Sequence, residues 1–205
     1  MNKNDEFYFD LYEKLYQTGY HNDLGFSHTG KLFPFLKECL DKKDNIKILD
    51  VGCSHGLAVL QLQQMGYEAY GVDVAATAIK LCEERGLATC KVGSATNIPF
   101  EDDFFDLIIS TDTLEHLLPS DVKKVISEFQ RVNKGKCLLS IACDAEGNKR
   151  PLMEVQRRFD SYKDLPGLHT TLMPPEEWDE YFSSGGYEKI RDLTTVVNDY
   201  CVIYK

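Results

Sequence analysis

ILDVGCSHG, residues Ile48 to Gly56, is the stretch that decides the fold of this 205-residue chain. Its apolar half predicts a buried strand, and its glycines predict a tight turn into a helix. A second predicted strand, EAYGVDV, contains Asp73, which lies 21 residues after Gly52. This layout indicates a βαβ nucleotide-binding unit, in which the turn approaches the ligand and the acid binds ribose hydroxyls.

The glycine spacing differs from that of a dinucleotide-binding fingerprint. G-x-G-x-x-G would place a glycine at position 54, where this chain has Ser54. An acid, Asp50, stands just before the turn, and the loop offers few donors to a phosphate. The stretch therefore predicts a nucleoside ligand that carries no pyrophosphate.

Length and charge limit the possible functions. A chain of this length fits one domain with a full hydrophobic core. The net charge is -10 and the pI is about 5.0. An acidic surface of this kind disfavours non-specific binding to nucleic acids or to anionic membranes. The composition does not indicate an oligomeric state.

Cysteine usage and the first residues indicate the compartment. The seven cysteines are scattered, without a CxxC pair. This pattern predicts buried free thiols in a reducing compartment, and neither a disulfide framework nor a metal site. The N-terminal residues MNKNDEFYFD lack an apolar signal segment. The expected location is the cytoplasm.

Strands alternate with helices through most of the chain. Strands are predicted at 47–51, 68–72, 88–92, 104–110 and 136–142, with helices at 57–65, 75–85 and 119–132. A last helix, PPEEWDEYFSSGG, precedes two strands near 187–192 and 196–204. The N-terminal residues 5–40 read as helical, with a second helix near 31–40.

This order predicts a single-domain Rossmann-like α/β fold, a three-layer sandwich around a mostly parallel seven-stranded sheet with an antiparallel C-terminal edge hairpin. Residues 1–45 are predicted to form a helical lid or cap segment. Residues 46–205 form the main domain, with a substrate-side insertion and helix at 143–186.

Four segments in order resemble motifs of the Rossmann-like (class I) S-adenosylmethionine-dependent methyltransferase family. They are ILDVGCSHG, YGVDV, VGSATNIPFEDDFFDLIIS and TDTLEHL, and the resemblance covers roughly residues 45–142. Four matches in the right order are far more specific than any one of them alone. The resemblance implies a methyltransferase that uses S-adenosyl-L-methionine as cofactor.

The resemblance also implies a set of cofactor-binding residues. These are Asp50, Gly52, Cys53, Gly56, Asp73, Val74, Ser94, Ala95, Thr96, Thr111 and Asp112. The chain departs from the family pattern at Ser54, which replaces a glycine, and at Ser94, where an acid is frequent. Structural alternatives exist: the glycine turn is also an ordinary strand-to-helix connection, and Asp73 is also suited to cap the next helix.

Two histidines are candidate general bases, because an alcohol acceptor must lose its proton and imidazole titrates near neutral pH. His116 follows the fourth predicted strand, and His169 lies in the polar segment before the last helix. His169 is preferred as the catalytic base, and His28 is a third candidate within the lid. A histidine on a surface loop is the structural alternative for each.

The acceptor is less defined by the sequence. No basic-aromatic patch and no NPPY-like segment indicates methylation of nucleic acids or amides. We therefore expect a small-molecule or glycan acceptor and O-methylation of a small-molecule or sugar hydroxyl. The alternatives are a macromolecule methyltransferase and a catalytically silent module that binds the cofactor or a partner. In the lid, Tyr16, Tyr20 and Phe26 are expected to close over the cofactor or to pack between helices.

Overall fold

The computed structural model describes residues 3–17, 19, 28–40, 45–143, 168–194 and 199–205. Two of the aromatic residues assigned to the lid, Tyr20 and Phe26, lie outside these ranges. So does most of the predicted insertion, residues 144–167. For His28, the description covers the backbone only.

The described strands form one seven-stranded sheet. They are β1 (Lys47–Val51), β2 (Glu68–Asp73), β3 (Cys90–Val92), β4 (Phe105–Thr111), β5 (Asn133–Ala142), β6 (Lys189–Asp192) and β7 (Asp199–Tyr204). The order is β3-β2-β1-β4-β5-β7-β6. Strands β1 to β5 pair in parallel, whereas β7 runs antiparallel to both β5 and β6. The predicted fold class and the C-terminal hairpin are confirmed.

The helices cover both faces of this sheet. They are α1 (Lys3–Gln17), α2 (Leu36–Cys39), α3 (Leu57–Gln64), α4 (Ala76–Glu84), α5 (Val122–Val132) and α6 (Pro175–Ser184). Short 3-10 turns occur at Leu114–His116 and Pro119–Asp121. Within the described ranges, no helix combines the length and apolar character needed to cross a membrane.

The predicted second helix near residues 31–40 is present, but most of it is not α-helical. His28–Phe35 is a 3-10 helix, and only Leu36–Cys39 is α-helical. Pro34 lies inside the 3-10 segment. A proline has no N–H to donate and its ring meets the carbonyl four residues earlier, so an α-helix is disfavoured there.

Alternate residues of the central strands face opposite layers, and both faces are buried. Ile108 packs with Phe129 of α5 and Trp178 of α6 in one layer. Leu107 packs with Val59 of α3 in the other layer. All five side chains are almost completely excluded from solvent. This burial explains why the strand sequences are continuously apolar rather than alternating.

Helix α1 is held against the carboxyl ends of the strands by buried polar contacts. The Tyr8 hydroxyl donates to Asp121 at 2.7 Å and accepts from the Leu118 N–H at 2.7 Å. Glu13 accepts from the Thr77 N–H, at the first turn of α4, at 2.9 Å. These contacts place one face of α1 over the region where the loops of the sheet converge.

Candidate active site

A cavity of about 470 Å³ lies at the carboxyl ends of the parallel strands, between the loops and α1. This is the edge at which open α/β sheets bind ligands. Eleven of the thirteen residues predicted for the site line the cavity: Asp50, Gly52, Cys53, Asp73, Val74, Ser94, Ala95, Thr111, Asp112, His116 and His169. The fold therefore brings together residues from the ends of four strands.

The other two predicted residues, Gly56 and Thr96, do not line the cavity. A side chain at Gly56 would run into Leu87 and Cys82, so this glycine allows close packing behind the loop. Thr96 is buried, and its hydroxyl donates to Asp5 of α1. Thr96 therefore ties the loop after β3 to α1.

The turn after β1 has the backbone geometry that close approach to a ligand requires. Gly52 has a φ of 78°, and a Cβ there would overlap the Thr113 side chain. Only glycine satisfies both conditions without strain. The Gly52 N–H donates to the Val72 carbonyl at 2.9 Å, which ties the turn to the end of β2.

Asp73 organises the loop as well as facing the cavity. One of its carboxylate oxygens accepts from the Ser54 N–H at 2.8 Å, and the other accepts from the Ala75 N–H at 3.0 Å. Burial raises the pKa of Asp73 to about 6, although these N–H groups act in the opposite direction. Each oxygen keeps lone-pair capacity for a ligand hydroxyl, so the structural and ligand-binding roles are compatible.

Asp50 is a buried acid near the end of β1. Its Oδ1 atom has no hydrogen-bond partner among the residues that the structure describes. Burial, and then the nearby charge of Asp73, raise the pKa of Asp50 to about 8. The Thr111 hydroxyl in the same lining is also buried without a partner in the described ranges. Orphaned acceptors of this kind fit a ligand that brings a cationic donor, such as an ammonium group.

Asp50 is expected to make the ligand-free protein less stable as the pH rises. The unfolded chain releases this proton near pH 4, but the folded protein retains it until about pH 8. The folded state therefore binds more protons in this window, and the free energy of unfolding falls with increasing pH, by at most about 1.4 kcal/mol per pH unit. Urea unfolding between pH 6 and 8 measures this slope, and Asp50→Asn should flatten it. Parallel curves for the two proteins would contradict the assignment.

Ser54 replaces the glycine that the family pattern favours, and it keeps the left-handed backbone. Its φ is 52°. The Tyr16 hydroxyl of α1 donates to the Ser54 hydroxyl, which also lies 2.9 Å from Nδ1 of His55. The departure from the family pattern thus provides a side-chain connection between the ligand-binding loop and α1.

Ser54→Gly should leave the global free energy of unfolding within about 1 kcal/mol of the wild type. Relief of the left-handed strain stabilises the loop, whereas loss of the Tyr16 contact costs about the same. Local opening of α1 should become about fivefold easier, and amide hydrogen exchange in α1 measures it.

Tyr16→Phe is the matched control, because it removes the same hydrogen bond without changing the loop backbone. It should accelerate exchange in α1 equally and should lack the compensating gain in global stability. Unchanged exchange in both variants would show that the Tyr16–Ser54 contact does not hold α1.

The far end of the cavity contains both predicted catalytic histidines. The rings of His116 and His169 meet edge to face with centroids 4.6 Å apart, and Tyr12 of α1 contacts His116 at 6.0 Å. Burial and the adjacent His169 lower the pKa of His116 to about 3, so this imidazole is neutral. Its Nδ1 atom is buried and has no hydrogen-bond partner in the described ranges.

Glu115 is a lining residue that the sequence interpretation did not assign. Its side chain is fully buried, and Oε1 accepts from the Ala142 N–H at 3.3 Å. The described lining also contains Asp50, Asp73 and Asp112, but no lysine or arginine. A cavity with this acidic lining favours cationic ligands and disfavours phosphates. In the sequence, the only indication of a role for Glu115 is its position next to His116.

A family model described as a methyltransferase domain matches residues 49–141. This segment runs from β1 through β5 and contains the glycine turn, Asp73 and the His116 turn. The matched segment is a methyltransferase domain of the Rossmann-like (class I) S-adenosylmethionine-dependent type. The match also contains all the residues predicted to bind the cofactor.

Individual methyltransferases resemble the chain in sequence or in fold. It is 32% identical over 145 residues to the uncharacterized methyltransferase YcgJ of Bacillus subtilis, covering 67% of this chain and 51% of the relative. It is 27% identical over 147 residues to a sterol 4-C-methyltransferase of Caenorhabditis elegans, covering 66% of this chain and 43% of that relative. The chain thus spans about half the length of these relatives. Others are named for N- or O-methylation.

The fold resembles that of a solved magnesium protoporphyrin IX methyltransferase from Synechocystis, whose structure contains S-adenosylhomocysteine. The TM-score is 0.71 at 15% identity, covering 95% of this chain and 96% of that one. At this level of identity the likeness concerns the fold of the methyltransferase domain.

Proposed function

We propose that this protein is an S-adenosyl-L-methionine-dependent methyltransferase that transfers the methyl group to the oxygen of a small-molecule or sugar hydroxyl. One observation carries the proposal: a single cavity joins a nucleoside-type site, with Asp73 and the Gly52 turn, to a pair of histidines. The parts that methyl transfer needs are therefore adjacent.

The lining fits the proposed cofactor. The carboxylate of Asp73 would accept hydrogen bonds from the ribose hydroxyls, and Asp50 would face the ammonium group of the methionine part. The acidic lining also suits the positive sulfonium centre. When bound, the cofactor supplies an electrophilic methyl group on sulfur. Binding is expected to lower the pKa of Asp50, which would gain an opposite charge, and that of Asp73, whose carboxylate would gain hydrogen bonds from the ribose.

Residues at the other end of the cavity would position the methyl acceptor and assist the loss of its proton. Tyr12 and Leu117 line the cavity near the histidines. Their apolar surface would help to position the acceptor. Positioning matters here because methyl transfer is an in-line displacement, in which the nucleophile must approach opposite the sulfur. The acceptor hydroxyl would lose its proton at the end formed by His116 and His169, which supports an oxygen acceptor over an amine.

The decisive experiment has two stages. Calorimetry measures the binding of S-adenosylmethionine, and a turnover screen then offers sugars, small phenols and other small alcohols, with amines for comparison. We expect binding and production of S-adenosylhomocysteine with a hydroxylated acceptor. Turnover confined to amines would contradict O-methylation, and absence of cofactor binding at millimolar concentration would contradict the enzyme assignment. Binding without turnover would favour a silent cofactor-binding module.

A further inference from the structure

The acceptor end of the cavity contains three side chains of types that bind transition metals. Glu115, His116 and His169 each offer one ligand atom, and these atoms all lie within 4.8 Å of one another. We propose that these three side chains form a site for a divalent transition-metal ion, which holds the oxygen of the methyl acceptor. The role of the ion rests on the proposed function, whereas its binding is testable independently.

The ligand set indicates the class of ion. Two imidazoles and one carboxylate suit zinc or iron(II) better than magnesium or calcium, which prefer oxygen ligands. Ligand atoms bound about 2.1 Å from one ion lie roughly 3.4 Å apart in tetrahedral geometry, so small side-chain rotations would close the site. Three protein ligands leave a coordination position open. Because His116 and His169 line the cavity, an acceptor oxygen can occupy that position.

Hydrogen bonds to two backbone carbonyls hold the ligands together before any ion binds. The Thr171 N–H donates to the Glu115 carbonyl at 2.9 Å. The hydroxyls of Thr170 and Thr171 both donate to the Leu117 carbonyl, at 2.6 and 2.5 Å. These bonds fix the segment that carries His169 against the turn that carries the other two ligands. A site organised in this way loses little conformational entropy when an ion binds.

The electrostatics of the cavity favour a cation at this position. Glu115 is fully buried, and Asp112 also lines the cavity nearby in sequence. Coordination to a metal ion is one of the ways in which a buried carboxylate is accommodated. The His116 ring has a buried nitrogen without a hydrogen-bond partner in the described ranges. Imidazole nitrogen is the commonest side-chain ligand of metal ions.

The ion would make the acceptor hydroxyl a better nucleophile. Coordination lowers the pKa of a bound hydroxyl, as it does for bound water. The O–H bond breaks with its electron pair left on the coordinated oxygen, and the proton is released to solvent. That electron pair then forms the new bond to the methyl carbon, while the electron pair of the carbon–sulfur bond returns to sulfur. In this arrangement the histidines act as ligands, and neither removes the proton itself.

Cobalt(II) is a suitable probe because its visible spectrum reports the ligand type. The full chain, freed of metal with a chelator, would be titrated with Co²⁺ and, by calorimetry, with Zn²⁺. We expect one ion per chain and nitrogen–oxygen ligation. Glu115→Gln and His169→Gln should each weaken binding at least about tenfold. His55→Gln, which changes a cavity histidine outside the three-residue cluster, should leave the affinity unchanged.

Other outcomes would overturn the site. Intense near-ultraviolet thiolate bands would place the ion at the buried cluster of Cys53, Cys82 and Cys90 instead. Absence of Co²⁺ and Zn²⁺ binding in a protein that still binds S-adenosylmethionine would refute the metal site and leave the proposed function standing. If Glu115→Gln does not fold, His169→Gln still decides between these results. Full turnover in excess chelator would show that a free histidine is the base.

Discussion

Replacement of Asp73 by alanine is expected to weaken S-adenosylmethionine binding by about 100-fold or more. Hydrogen bonds to a buried carboxylate contribute about 1.5–3 kcal/mol each, and two ribose hydroxyls would lose their acceptor. The variant also removes the acceptor of the Ser54 and Ala75 N–H groups, which disorganises the loop. Calorimetry with S-adenosylmethionine measures the combined loss.

A cofactor analogue without ribose hydroxyls separates the two contributions of Asp73. It should bind the wild type more weakly than the natural cofactor does, and Asp73→Ala should cost it much less affinity. The difference between the two losses is the coupling between the carboxylate and the hydroxyls. Equal losses for both ligands would show that Asp73 acts only by holding the loop.

Replacement of His169 by alanine is expected to lower kcat by about 100-fold or more once an acceptor is known. A group that assists removal of the acceptor proton typically contributes this much or more, whether it is a base or a metal ligand. The Kd for S-adenosylmethionine should change less than about twofold, because Asp73 and the Gly52 turn form the other end of the cavity. Single-turnover measurements at saturating cofactor give the rate of the chemical step.

His55→Gln is the control for the His169 variant within the same cavity. His55 lies in the loop after β1, where its Nδ1 atom contacts Ser54. This variant should affect cofactor affinity more than the chemical step. An effect of His169→Ala confined to KM, with kcat unchanged, would refute a role for His169 in the chemistry.

The sequence predicted the parallel part of the fold because its strands carry a strong local signal. The five strands before residue 143 are short apolar runs, and most of their residues are buried in the structure. Their carboxyl ends and the turns that follow them were therefore placed correctly. The helix expected near residues 31–40 is present, but its 3-10 form was not predictable, because apolar spacing alone does not distinguish a 3-10 helix that contains Pro34 from an α-helix.

Site residues were predictable from the sequence where the local backbone geometry requires one residue type. Gly52 was assigned from its place in a tight turn after a strand, and the structure gives it a left-handed backbone in that turn. Tertiary contacts had no such signal. The bond between Tyr16 and Ser54 joins residues 38 positions apart, and the segment of His169 packs on a turn more than 50 positions earlier. Glu115 was missed because its role depends on that packing.

We expect the contacts of α1 to control how ligands enter and leave. Tyr8, Tyr12 and Tyr16 line the cavity from one side, while Glu13 and Tyr16 fasten the helix to Thr77 and Ser54. The product S-adenosylhomocysteine would then be released only after α1 detaches. We therefore expect the first catalytic cycle to run faster than the later ones, with the departure of product setting the steady rate. Variants that loosen α1 would then release product sooner while holding each substrate less tightly.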